Sequence, residues 1–236
     1  MQEFDNIKNL NDHYDIWGKE QESEINFWIK TILKQYNESN LDKSRLNPNR
    51  PFEENLKKYA NSYNKKELNI LDVGSGPLTV LGSYWEGVKC NLTCVDPLAD
   101  KYNMIFEKIN VIPLVKPMKG DVEKLDKLFP ENSFDFVFMR NALDHSYNPV
   151  LGIKQMLRLV KPNNYVYLRH RINEAEDKEY TGLHQWNLDY EGNNFIIWDK
   201  SSRVDINETL GKSAEITIIP LSDDKSLFNV ILKKQR

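Results

Sequence analysis

Two short runs constrain this chain more than any other part of it. The first is Leu68-Asn69-Ile70-Leu71-Asp72-Val73-Gly74-Ser75-Gly76-Pro77; the second is Leu92-Thr93-Cys94-Val95, which closes on Asp96. Ile70, Leu71 and Val73 have the unbroken apolar character of a strand buried on both faces. Gly74 and Gly76 then let the backbone turn tightly and come close to a ligand. A glycine turn after one parallel strand and a carboxylate after the next is how an α/β sheet holds a nucleoside, with the acid accepting the ribose hydroxyls.

The rest of the pattern is that of an alternating α/β chain. Strands are expected at 68–73, 91–95, 112–115, 134–139 and 164–170, with helices between them. The clearest helix spans 149–160: Pro149 suits a first turn, and Ile153, Met156, Leu157 and Val160 form one apolar stripe before Lys161-Pro162-Asn163-Asn164. Residues 214–220 and 227–233 read as strands joined by a loop too short for a parallel crossover, so they pair antiparallel. The expected fold is a Rossmann-like, doubly wound α/β sheet of seven strands, mostly parallel, closed by a C-terminal antiparallel hairpin. Ahead of it, Ile25, Trp28, Ile29, Ile32 and Leu33 mark one helical face, and Leu56, Tyr59, Ala60 and Tyr63 another, around a polar loop at 41–51. The chain therefore divides into a helical N-terminal extension, 1–65, and a sheet domain, 66–236.

Composition narrows the partners. The net charge of −3 comes from 32 basic and 35 acidic residues mixed along the chain, without the basic patch that nucleic acid requires. No apolar run approaches the ~18–20 residues that cross a bilayer. Residues 1–5 are acidic and lack the apolar core of a leader, so a cytoplasmic protein is expected. Cys90 and Cys94, the two cysteines, flank one strand and read as buried thiols. The four histidines, at 13, 145, 170 and 184, have no H-x-x-x-H spacing, and no metal is expected. The composition does not address oligomeric state.

The order of these motifs resembles the class I S-adenosylmethionine-dependent methyltransferases over residues 66–234. The residues that carry the likeness are Leu71-Asp72-Val73-Gly74-Ser75-Gly76-Pro77, Asp96-Pro97, Asp121-Val122, the strand 134–139 running into Arg140-Asn141-Ala142-Leu143-Asp144-His145, and Arg158-Leu159-Val160-Lys161-Pro162. Leu78 replaces a third glycine of the first motif, and Asn163-Asn164 stand where the family has Gly-Gly; Asn tolerates the same left-handed turn. The resemblance implies S-adenosylmethionine as cofactor, held by Asp72, Gly74, Ser75, Gly76, Asp96, Pro97, Asp121, Val122 and Asn141. It implies methyl transfer to O or N of a small molecule, such as a sugar or a phosphorylated or nucleotide-linked precursor of bacterial surface polysaccharide.

For a hydroxyl acceptor a histidine base is needed. His145 follows the fourth strand at the ligand-binding edge and ranks first, with His184 and His170 behind; each also has a plain packing or capping role open to it. An anionic acceptor would need no base and would be anchored by Arg140 or Arg171. The insertion 172–200 carries Tyr180-Thr181-Gly182-Leu183-His184-Gln185-Trp186 and has the length of a lid. Tyr180 and Trp186 are its acceptor-side candidates, and Tyr14 and Trp17 those of the N-terminal segment. Two other functions compete. A nicotinamide dehydrogenase lacks support because Gly-x-Gly-x-x-Gly fails at Thr79. A non-catalytic S-adenosylmethionine-binding module would bind the cofactor without turnover.

Overall fold

The computed structural model describes residues 10–38, 43–60 and 65–236. Residues 1–5, Leu41 and Tyr63, to which the sequence assigns features, lie outside them. Three α-helices and five strands follow in this order through the first half of the described residues: α1 (Leu10–Asn37), α2 (Glu54–Ala60), β1 (Glu67–Val73), β2 (Tyr84–Trp85), β3 (Val88–Asp96), α3 (Ala99–Lys108), β4 (Met118–Lys119) and β5 (Phe134–Arg140). The second half contains α4 (Pro149–Leu159), β6 (Val160–Arg171), α5 (Glu174–Asp177), β7 (Asn187–Glu191), β8 (Asn194–Trp198), β9 (Arg203–Asp205), α6 (Ile206–Leu210), β10 (Ala214–Pro220) and β11 (Leu227–Lys234).

The main sheet runs β10-β11-β6-β5-β1-β3, with β2 beside the start of β3 and β4 beside its end. β1 is parallel to β3 and β5, and β5 to β6, while β11 is antiparallel to both β6 and β10. The sheet has eight strands, one more than expected, because the two-residue β2 adds an edge. Chain order reverses between β1 and β5. Helices leave to opposite faces there, and a crevice opens at the carboxyl ends of the strands.

Both faces are covered. Phe52, Leu56 and Ala60 pack on Leu68, Ile70, Phe136, Phe138 and Tyr167. On the other face, Ile153, Met156 and Leu157 of α4 meet Leu71, Val73, Val137, Met139 and Leu168. α4 starts where its sequence says it should: Asn148 caps it, its side-chain oxygen accepting from Leu151 N at 3.0 Å, and Pro149 opens the first turn. Asn163 takes a left-handed φ of 64° in the turn at the start of β6. Along α1, Ile25 and Ile32 with Trp28 and Ile29 pack on Leu98, Tyr102, Ile105 and Phe106. The helix thereby lies over the crevice.

Two expectations are corrected. Residues 112–115 are not a strand: Pro113 interrupts the run by lacking an N–H for the ladder, and Ile112 is 84% exposed. The third parallel strand is the two-residue β4, further along. The insertion 172–200 is not a loose loop either. It supplies β7 and β8, which with β9 form a separate antiparallel sheet. Leu188, Phe195, Ile197 and Val204 of that sheet join one core with Phe228, Val230 and Leu232 of β11. Alternation of apolar residues with Asp189, Asn194 and Asp205 is what buries one of its faces.

Candidate active site

The crevice at the β1–β5 reversal holds a cleft enclosing about 700 Å³ of space open to solvent. Four strand ends and one cap helix build it. After β1, Gly74 and Gly76 both line it with φ of 64° and 63°. A side chain at either is strained by that φ, and at Gly74 it also clashes. A Cβ on Gly74 would stand 2.4 Å from the Cβ of Ala142, and one on Gly76 would project toward the Trp28 ring, 3.8 Å away across the cleft. The turn is hung on the next strand: Gly74 N donates to Val95 O at 2.8 Å and Ser75 N at 3.2 Å. Ser75 itself does not reach the cleft wall; its hydroxyl donates to Gly76 O.

At the end of β3, Asp96 and Pro97 line the cleft. Asp96 is buried, with one carboxylate oxygen accepting from Gly76 N at 3.0 Å and the other from Leu98 N at 2.9 Å. Burial pushes its carboxyl up to about 6, against the pull of those two N–H groups. Each oxygen keeps a lone pair for a further donor. Asp72 lies one layer deeper, outside the lining, and accepts the Thr79 hydroxyl; Thr79 Oγ1 in turn accepts from Leu81 N at 3.0 Å. Its place is under the glycine loop, where burial raises it to about 7.

Past β4, Asp121 and Val122 line the cleft, with Asp121 paired to Lys124 at 2.9 Å. Asp121 makes no side-chain cap bond to the helical turn that follows, although the sequence left that role open. Glu123, in the same turn, is also in the wall; it accepts from Asn148 N at 3.0 Å and is raised to about 7 by burial. After β5, Asn141 takes a left-handed φ of 45° and lines the cleft with Ala142 and His145. From α1 come Trp17, Gln21, Glu24 and Trp28, one helical face. Glu24 accepts from Trp28 Nε1 at 2.8 Å.

His145 adjoins a compact cluster. Its Nε2 lies 3.0 Å from His184 Nδ1 and 3.4 Å from Asp144 Oδ2, and His184 Nδ1 lies 2.8 Å from the same Asp144 oxygen. Asp144 is fully buried; desolvation works to raise it, but the His145 charge and the His184 hydrogen bond and charge hold it below the ordinary carboxylate range. Burial works to lower His184, yet its bond to Asp144 leaves it raised. His170 is buried, neither ring nitrogen has a hydrogen-bond partner, and desolvation lowers it to about 4. A neutral imidazole closed off in this way does not reach the cleft wall.

The remaining sequence candidates are dispersed. Tyr14 is exposed, with its ring edge-on to Tyr147 at 5.0 Å, and does not line the cleft. Tyr180 receives a hydrogen bond from Asn187 Nδ2 at 2.9 Å, away from the cleft. Trp186 is completely buried, its Nε1 donating to Ser146 O at 2.8 Å and its ring 4.2 Å from that of His13. From the insertion, only Leu183 enters the cleft lining. Arg171 lies beside Glu174, 3.9 Å away. Arg140 faces the opposite side of the sheet from Met139 and Asn141, in a second pocket with Arg45, Arg50, Glu53 and Arg169. Sequence reading missed Glu24, Glu123 and Asp144. The spacing Trp17, Gln21, Glu24, Trp28 was legible as a helical face; the meeting of Asp144-His145 with His184 was not.

Residues 71–168 match the family model described as a methyltransferase domain. The match falls on the stretch whose motifs resemble the S-adenosylmethionine-dependent methyltransferases. An uncharacterized methyltransferase of Schizosaccharomyces pombe is 31% identical over 117 residues, which cover 46% of this chain and 41% of the relative. The chain thus matches less than half the length of that curated relative. Among solved structures, a S-adenosylmethionine-dependent methyltransferase from Aquifex aeolicus is 17% identical, covering 84% of this chain and 96% of its own, with a TM-score of 0.47. One from Clostridium acetobutylicum is 12% identical over 87% and 97%, also with a TM-score of 0.47.

Proposed function

We propose that this chain transfers the methyl group of S-adenosylmethionine to a hydroxyl of a small-molecule acceptor. The observation that carries the reading is the convergence of the Gly74–Gly76 turn, Asp96, Asp121 and Asn141 on one cleft, from the ends of β1, β3, β4 and β5. The residues fit the cofactor. The bare glycine backbone gives close approach, and Asp96 keeps acceptor capacity for two ribose hydroxyls. Asp121 and Val122 stand at the adenine end. The charge fits as well: Glu24, Asp96, Asp121 and Glu123 line the cleft, no Lys or Arg among the described residues lines it, and the Lys paired with them is Lys124, on Asp121. A dinucleotide would bring a diphosphate into that wall, and at ~5 Å and an effective dielectric of ~20 each carboxylate–phosphate pair costs about 3 kcal/mol. This weighs against a nicotinamide dehydrogenase.

The cofactor supplies an already electrophilic methyl group, so the protein's work is alignment and the removal of one proton. The Asp144–His145–His184 cluster borders the cleft and is the proton acceptor in this reading. Asp144 orients His184 and offsets positive charge on the pair. Leu183 and the α1 face exclude water. The acceptor class in this reading is a sugar or a phosphorylated or nucleotide-linked precursor of a surface polysaccharide; Arg140, with Arg45, Arg50 and Arg169, lies across the sheet and does not anchor it in the cleft. The test is calorimetry with S-adenosylhomocysteine and with NADH, followed by labelled-methyl transfer over sugars and nucleotide sugars. S-Adenosylhomocysteine binding and transfer to a hydroxyl are expected. NADH binding alone would refute the reading, and tight S-adenosylhomocysteine binding with no turnover on any acceptor would favour a non-catalytic module.

A further inference from the structure

The Asp144–His145–His184 cluster has a geometry that hydrogen bonding leaves unexplained. Its three atoms form a closed triangle with sides of 2.8, 3.0 and 3.4 Å. An imidazole nitrogen has one in-plane lobe, holding either a proton or a lone pair. A proton on His184 Nδ1 satisfies Asp144 Oδ2 or His145 Nε2 at full strength, not both, and the remaining lone pairs then face each other across 3.4 Å. If both nitrogens are protonated, two donors oppose each other at 3.0 Å. All three atoms are satisfied at once by one cation shared among them. An ion about 2.1 Å from each donor would see them at roughly 85–110°, which spans octahedral and tetrahedral angles. Among the described residues, these three are the group of His, Cys, Asp and Glu side chains whose ligand atoms lie within 4.8 Å of one another.

We infer that Asp144, His145 and His184 form a binding site for a single divalent transition-metal ion at the edge of the methyl-transfer cleft. Two imidazoles and one carboxylate select ions such as Zn²⁺, Fe²⁺, Co²⁺ or Mn²⁺; Mg²⁺ and Ca²⁺ prefer all-oxygen shells. The frame that holds the donors is rigid. Asp144 and His145 lie in a helical turn, Leu143–His145, closed by His145 N to Ala142 O at 3.2 Å. His184 is set by Gln185 N donating to Asp144 O at 3.1 Å and by Trp186 Nε1 donating to Ser146 O. These two bonds tie the ligand-bearing segments to each other on either side of the site. Three protein ligands leave coordination positions free. Because His145 and Leu183 also line the cleft, an acceptor oxygen there can take one. Ion binding is independent of the cofactor assignment but excludes the base role of the same nitrogens, since a ligating lone pair accepts no proton; failure to bind an ion leaves the methyltransferase reading, histidine base included, standing.

The test uses the full chain, stripped with a chelator and dialysed. Titration with Co²⁺, followed by visible absorption, and with Zn²⁺, followed by calorimetry, should each give one equivalent bound. Mg²⁺ should give no competing heat. His184→Ala and His145→Ala should each weaken Co²⁺ binding by more than the ~10–100-fold that loss of an outer partner costs. The thermal midpoint and the far-UV circular dichroism, measured on the same samples, show that each variant is folded. Three results would overturn the site: no stoichiometric Co²⁺ or Zn²⁺ binding by folded, S-adenosylhomocysteine-competent protein; unchanged Co²⁺ affinity in both histidine variants; or preferential binding of Mg²⁺.

Discussion

Trp186→Ala separates a structural residue from an acceptor-contacting one. The sequence places Trp186 on a lid, where its loss should raise the acceptor KM and leave the fold intact. The structure places it in the core, with no solvent exposure. Truncating a buried tryptophan to alanine typically costs about 3–5 kcal/mol through lost transfer energy and the cavity left behind. The variant also loses the bond from Nε1 to Ser146 O and the packing on His13, which holds α1 to the insertion through His13 Nε2 and Asp199 Oδ2 at 2.8 Å. An orphaned buried carbonyl adds roughly 1–3 kcal/mol. Against a total stability of about 5–15 kcal/mol the variant is expected to be marginal. A loss of ~4 kcal/mol lowers Tm by roughly 8–16 °C in a chain of this size. Trp186→Phe keeps most of the volume and isolates the hydrogen bond, so about 1–3 kcal/mol is expected. Urea unfolding at constant m-value is the measurement. A cost under about 1 kcal/mol for Trp186→Ala, together with a raised acceptor KM, would refute the core assignment and restore the lid.

Four further outcomes are expected. Asp96→Asn should weaken S-adenosylhomocysteine binding by roughly 10- to 150-fold, the equivalent of about 1.5–3 kcal/mol for a charge-assisted bond. Because burial raises Asp96 to about 6, with Glu24 opposing and His145 favouring its ionisation, wild-type affinity measured by calorimetry should fall as pH drops through about 6; loss only below pH 4 would contradict this. Asp72, Asp96 and Glu123 all have raised folded pKa values, so their contribution to stability is complete below about pH 4 and is lost as pH rises through 6–7, at up to ~1.4 kcal/mol per unit per group. Asp72→Asn should flatten that decline in urea midpoints between pH 5 and 7, and an unchanged slope would remove Asp72 from the account. Gly74→Ala meets Ala142 Cβ at 2.4 Å with φ at 64°, so lost cofactor binding and a lower Tm are expected; near-native values for both would show that the turn is not sterically fixed.

Local signals were enough for most of the architecture. The unbroken apolar runs around Ile70 and Phe136 specify strands buried on two faces, and Gly74, Gly76, Asp96 and Asn141 mark the ends of three of them, because strand period and turn chemistry act over a few residues. Asn148-Pro149 fixed the start of α4 for the same reason. The sequence by itself thus determined the parallel sheet, its antiparallel hairpin and the strand-end wall of the cleft. Pro113 should have demoted 112–115, and the outcome there is a local rule overlooked. Tertiary structure decided what depends on distant segments meeting. Trp186 and the insertion were folded into the core because β7 and β8 found β9 and β11 to pack against. Arg140 was turned away from the cleft by strand alternation set against Met139 and Asn141. Asp144, His145 and His184 became one cluster across a separation of 39 residues. No periodicity or spacing encodes such a meeting: it follows from the free energy of burying two sheets together, which depends on the whole chain.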